Sequence, residues 1–222
     1  MARKTFITYI TLNTIFLLCA ALHLLVPFLT ISSQTKPPTV SNVARTVLLN
    51  TTPLTASLVV GILMLTSFLI SLPTYFLKKN TLLLQIHTAI ITICALLTLS
   101  IGLKIWFATL QTRVNLATVW QQQSDLTQST LQRKFQCCGY LGAGADYRPD
   151  ETCNAASVVG LGSCQVPFSR FATGFLNMVF TSFFGFCALD VMLLLAVLCV
   201  VKERKEERRY ALIDEKRRGT RH

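Results

Sequence analysis

Four long apolar runs, roughly Phe6–Leu29, Leu54–Leu77, Leu82–Leu110 and Gly174–Val201, constrain this chain more than any other feature. The hydrocarbon core of a bilayer is about 30 Å thick, and a helix rising about 1.5 Å per residue crosses it in about 20 residues. Lipid offers no partner to a bare backbone N–H or C=O. A helix, which satisfies these groups internally, is therefore the natural form for each run. Composition agrees: 52% of residues are hydrophobic and 14% charged, against about a quarter charged in soluble domains. The expected fold is an all-α membrane protein, a bundle of four transmembrane helices. Arg3 and Lys4 ahead of the first run give it the look of a signal peptide. It is about twice the length of a signal core and contains Asn13, so it is read as a retained helix.

The formal charge of +11 does not point to nucleic acid, because of where the 21 Lys and Arg fall. Arg3, Lys4, Lys78, Lys79 and nine residues after Val201 lie on one side of a four-pass plot. The other side holds Lys36, Arg45 and five between Arg113 and Arg170, spread over much longer loops. That density difference is the positive-inside pattern, and it predicts that both termini are cytosolic. No basic domain interleaved with aromatics is present to grip nucleic acid. Lys104, near the outer end of the third run, reads as a snorkelling anchor.

The spans leave a small outer loop at 30–53, an inner turn at Lys78-Lys79-Asn80, a large outer loop at 111–173 and a basic tail at 202–222. The small loop is rich in Ser, Thr and Pro, and Pro37-Pro38 predicts an extended turn. Asn50-Thr51-Thr52 is a glycosylation sequon, weakened by Pro53 and by the membrane that follows at once. In the large loop Val114, Val119, Trp120, Leu126, Leu131 and Phe135 form a loose helical stripe. Two helices are expected, about Leu110–Leu116 and Val119–Gln136, the second stopped by Gly139. Gly142, Gly144, Asp146 and Pro149 then mark turns, and a short return runs through Val166 and Phe168 into the fourth span.

Cysteine placement is the sharpest chemical signal. Cys19, Cys94, Cys187 and Cys199 lie in predicted spans, whereas Cys137, Cys138, Cys153 and Cys164 share the large loop. An even set on the oxidising side reads as disulfides rather than a zinc site. Neighbouring cysteines rarely bridge each other, so Cys137 and Cys138 are expected to reach Cys153 and Cys164. With little core expected in so small a loop, the bridges would decide whether it folds.

The segment Leu131-Gln132-Arg133-Lys134-Phe135-Gln136-Cys137-Cys138-Gly139 resembles the Cys-Cys-Gly signature of tetraspanins, including the Leu-Gln and the Phe before it. Loop sizes, four-pass layout and cytosolic termini agree, so the resemblance covers the whole chain; the compact loop and Cys138-Gly139-Tyr140 look most like fungal members. The resemblance implies the pairing Cys137–Cys164 and Cys138–Cys153. It also implies a non-enzymatic membrane organiser that associates laterally with partner membrane proteins, other tetraspanins and lipid, in the plasma membrane or an endosomal or vacuolar one. A role in polarised growth or host penetration would follow from the fungal likeness. The small loop has no cysteine, whereas claudin-like and connexin-like four-pass proteins would be expected to carry a pair or triplet there. Two features depart from the family: the usual Pro-x-x-Cys appears as Pro149 followed three residues later by Thr152-Cys153. The inner turn also lacks the cysteine often found there, which bears on acylation.

Asp190 is the only acidic residue in a span, and its charge would cost at least about 2.5 kcal/mol there unless it faces the bundle interior or is offset. By helical rise Asn13 and Asp190 could share one level, with Gln85 and His87 near it. Two readings stand for them, interhelical hydrogen bonding and contact with a bound sterol, the second drawn from the family's internal lipid cavity. Ser57-x-x-x-Gly61 is a small-residue face for close helix packing. Cys199, three residues before the basic tail, is a candidate for S-acylation or an inert thiol. The tail, with Lys202, Glu206 and Arg209 at helical spacing, should prolong the fourth helix, and serves either lipid attraction or topology. Tyr210 and Ile213 match a short sorting signal. His23 and His222 have no metal-ligand spacing, and no catalytic set is evident, so no enzyme activity or metal is expected. The rival reading is an accessory subunit of a channel or transporter, against which the uncharged second span counts.

Overall fold

The computed structural model describes residues 2–34, 39–76, 81–142, 147–154, 156–157 and 160–219. The expected turns at Pro37-Pro38 and Lys78-Lys79-Asn80 lie outside these residues, as do Gly144, Asp146 and His222. Among the described residues the chain is all-helical: α1 (Ala2–Gln34), α2 (Val43–Thr51), α3 (Leu54–Phe76), α4 (Leu82–Leu110), α5 (Thr112–Gln121), α6 (Asp125–Phe135) and α7 (Gln165–Gly219). Helices α1, α3, α4 and α7 are each long and apolar enough to cross a membrane, as the four runs predicted.

Contacts divide the chain into two compact units. The first comprises Met1–Leu25, Ala56–Ser100 and Phe184–His222, and its described residues come almost wholly from the four long helices. Its interior is built from Tyr9, Phe16, Met64, Leu84, Ile91 and Leu193, all nearly inaccessible, while Leu18, Ile62, Leu69, Leu96 and Leu195 stay exposed. Helices apolar on every side suit a bilayer and not water. Gly61 lies where α1 and α3 approach closely, since an added Cβ would sit 2.9 Å from Leu24 Cδ2 and 3.1 Å from His23 Cβ. Pro27, inside α1, cannot donate to the His23 carbonyl, and the Ser57 hydroxyl reaches that oxygen instead at 3.5 Å. The small-residue face thus packs as expected and meets a freed backbone group as well. Near the other end, the Arg204 guanidinium donates to the Thr74 carbonyl at 2.8 Å, placing a cation on the last turn of α3. Thr5 donates to Glu203 at 3.0 Å. The tail is helical as predicted, but Lys202, Glu206 and Arg209 form no ion pair with one another among the described residues.

The second unit comprises Val26–Thr55 and Ile101–Phe183. Three expectations are corrected in it. Much of the small loop is the helix α2, whose Val43, Ala44, Val47 and Leu48 are buried on one face. The break in the large loop falls at 122–124, not near 117, because Ser124 is an N-cap whose hydroxyl accepts from the Thr127 amide at 3.4 Å. Helix α6 ends before Gly139: Gln136 takes the left-handed conformation at φ 51° and its amide bonds the Gln132 carbonyl. Gly139 is also left-handed, at φ 67°, but it shapes the turn beyond the cysteines.

Candidate functional site

The most organised feature of the second unit is the pair of bridges Cys137–Cys164 and Cys138–Cys153, with Cα separations of 5.0 and 5.6 Å. All four cysteines are buried. Cys137 and Cys164 belong to a core with Val43, Ala44, Val47 and Leu48 of α2, Leu116 and Trp120 of α5, Leu131 of α6, and Phe168 and Ala172 of α7. Trp120 stacks obliquely on Tyr140 at 5.7 Å and edge-on to Phe168 at 6.0 Å, and Phe135 meets Phe168 and Phe171 at 5.8 Å each. The loop therefore has a real core, contrary to expectation, because α2 supplies a third helix face from a distant part of the chain. Lys134 joins the same assembly from its edge, donating to the Ser41 carbonyl at 2.8 Å with its ammonium 5.4 Å from the Phe171 ring centre. Desolvation, then repulsion from Arg45, holds that ammonium below the usual lysine range.

Backbone pairing locks the segment after the cysteines: the Cys138 amide bonds Gly162 O, Cys164 bonds Gly139 O, and Gln165 bonds Tyr140 O. Asp150 Oδ1 accepts from the Thr152 and Cys153 amides at 2.8 and 2.7 Å, which fixes the turn that presents Cys153. Gln132 organises this region from a fully buried position. Its Oε1 accepts from the Gly139 and Arg148 amides, each at 3.2 Å, and its Nε2 donates to the Arg148 carbonyl at 2.8 Å. Gln128 extends the network, donating to the Trp120 and Gln123 carbonyls and accepting from Arg148 Nε. Sequence reasoning gave Gln132 no role of its own. The only signal for it was the spacing of Gln128 and Gln132, four residues apart on one side of the helix.

Among the intramembrane polar residues, Asn13 is wholly buried and donates to Ser71 Oγ at 2.6 Å and to the Tyr75 hydroxyl. Asp190 is 1% exposed and accepts from the Thr98 hydroxyl at 3.1 Å. Each therefore makes an interhelical hydrogen bond, but they share no partner. Asp190 interacts electrostatically with Cys19, six residues along α1 from Asn13 and so about 9 Å of rise away. Among the described residues, the buried Asn13 Oδ1, Asp190 Oδ1 and His87 Nε2 have no hydrogen-bond partner. His87 bonds Ser67 at 2.8 Å, whereas Gln85 is exposed and joins neither residue. A polar face on α3, Ser67, Ser71 and Thr74, was missed although its i, i+4, i+7 spacing marks one side of a helix. Tyr9 completes it, 3.5 Å from Thr74 Oγ1.

The remaining positions lie apart. Cys199 is a free, exposed thiol on α7. Tyr210 and Ile213 are exposed one turn apart on the same helix, and Asn50 is exposed in the last turn of α2. Among the described residues no cluster of His, Cys, Asp or Glu could hold a metal ion. Compared with protein-family models, curated proteins and solved structures, the chain matches none.

The Gln132 network yields a direct expectation. Gln132→Leu keeps the bulk but strands the buried Gly139 amide, a loss of about 1–3 kcal/mol, and two partly buried backbone groups of Arg148. The variant should lose its disulfides to a reductant at lower concentration than the parent and be cut faster by protease in the 147–153 segment. Equal resistance would show that Gln132 fills space only.

Proposed function

We propose that this chain is a tetraspanin-like membrane organiser, acting through lateral association of its spans and recognition by the stapled unit. The observation that carries the reading is the pairing of the adjacent Cys137 and Cys138 to separate partners, immediately after α6 and between the third and fourth membrane helices. Two further points support it. The stapled unit exposes Leu126, Leu141 and Val166, apolar side chains available to a partner. The buried polar groups of the spans pair with one another across helices, which suits packing better than a continuous aqueous path. On this reading the stapled unit faces the oxidising side and both termini the cytosol, in the plasma membrane or an endosomal or vacuolar membrane. The test is capture of the full chain in mild detergent. Partner membrane proteins retained by the parent should be lost when Cys138 and Cys153 are both changed to Ser, with insertion unchanged. Solute or ion flux in reconstituted vesicles above that of empty ones would instead favour a channel or transporter subunit.

A bound sterol belongs to the same proposal. Asn13 Oδ1 and Asp190 Oδ1 are buried acceptors that a hydroxyl could serve, and their different partners make them separate contacts. Replacing both with Leu should weaken photo-crosslinking of a sterol probe while leaving the protein folded. Undiminished crosslinking would leave both residues to helix packing alone.

A further inference from the structure

Within the second unit lies a cavity of about 240 Å³ that none of the sites above uses. Its apolar walls are Leu48 of α2, Leu116 and Val119 of α5, and Leu176 of α7. Its polar lining is uneven. The hydroxyls of Thr51 and Thr52 are already committed to the Leu48 and Leu49 carbonyls, at 2.7 Å each. Lys104 of α4 and Asn115 of α5 are exposed to the cavity's surroundings, and Lys104 forms no ion pair among the described residues.

Charge around the cavity is one-sided. Among the described residues its lining carries one charged side chain, Lys104, and no Asp or Glu. An anion is thus favoured and a cation disfavoured. Depth is also defined. Lys104 is six residues from the end of the membrane-length helix α4, and the exposed Trp106 and Phe107 follow it with rings 5.1 Å apart. Aromatic rings and snorkelling lysines of this kind sit at the level of lipid headgroups. The volume falls just below the roughly 300–1,000 Å³ of pockets that enclose a drug-sized molecule, so the cavity fits part of a lipid and not a whole one.

We propose that this cavity holds an anionic phospholipid, its phosphate against the Lys104 ammonium and the Asn115 amide and the first carbons of one acyl chain along Leu48, Leu116, Val119 and Leu176. Ammonium and amide both donate to phosphate oxygens, and the apolar walls would exclude the water that otherwise competes. The site is independent of the organiser reading, because it requires only that α4 cross a membrane.

The test uses the full, oxidised chain reconstituted in mixed phosphatidylcholine and phosphatidylglycerol, with the lipid retained after delipidation identified by native mass spectrometry. The parent should retain phosphatidylglycerol preferentially. Lys104→Gln should reduce that preference about tenfold, the loss of one charge-assisted hydrogen bond, whereas Lys104→Arg should keep it. Val119→Trp, which fills the cavity without touching the charge, should displace the lipid while the disulfides still form. Millimolar inorganic phosphate should not compete, since it brings no acyl chain. The proposal is overturned if the parent retains both lipids equally, if Lys104→Gln keeps the preference, or if free phosphate displaces the lipid.

Discussion

Two disulfides drawn from adjacent residues are the constraint on which the second unit depends. Consecutive cysteines point their side chains apart, so bridges from Cys137 and Cys138 hold two different returning segments against the end of α6. With sequence separations of 27 and 15, the chain-entropy account gives each a stabilisation of about 3 to 4 kcal/mol by restricting the unfolded loop. Gln136 in the left-handed region turns the chain off the helix and into the bridges, and Gln132 then satisfies the amides of the turn they create.

The bridges do not act alone. Cys137 and Cys164 are core residues, packed among side chains from α2, α5, α6 and α7 that are separated by more than a hundred positions in the chain. The stapled unit is consequently not a free-standing loop, because α2, from the preceding loop, supplies four of its buried side chains. The exposed ion pairs Arg148–Asp125 and Arg133–Glu151 add little by comparison, since solvent screens such pairs to less than about 1 kcal/mol. The same division of labour holds in the spans. There the exposed surface is mostly apolar, with hydroxyls such as Thr11, Thr92 and Ser100 bonded back to their own helix. Polar contacts join one helix to another: Asn13 with Ser71, Ser67 with His87, Thr98 with Asp190.

The spans were legible because a bilayer demands long apolar helices and little else produces them, and the cysteines because an even set in one loop has few other uses. The helical continuation of α7 into the tail was legible from the helical spacing of its charges, although Lys202, Glu206 and Arg209 form no ion pair with one another among the described residues. Helix α2 was hidden by its length and by the Thr and Pro around it; its buried set is only Val43, Ala44, Val47 and Leu48, too short for periodicity to declare. The α5–α6 break was misplaced because the stripe runs through it, and the cap at Ser124 was the overlooked signal. Gly139 attracted the helix stop that Gln136 performs, since glycine is the usual left-handed residue and glutamine is not. Asn13 and Asp190 were placed at one level by counting residues from the membrane edge. That count ignores the stagger of neighbouring helices, and the hydrogen bonds reveal separate partners.

The state of the eight cysteines in the protein taken from its membrane tests this architecture most directly. Alkylating free thiols in the intact membrane and after denaturation, then mapping the peptides without reduction, should link Cys137 to Cys164 and Cys138 to Cys153. Cys19, Cys94, Cys187 and Cys199 should be recovered as thiols or thioesters, never as disulfides. A Cys137–Cys153 link, or free thiols at any of the four loop positions, would contradict the architecture described.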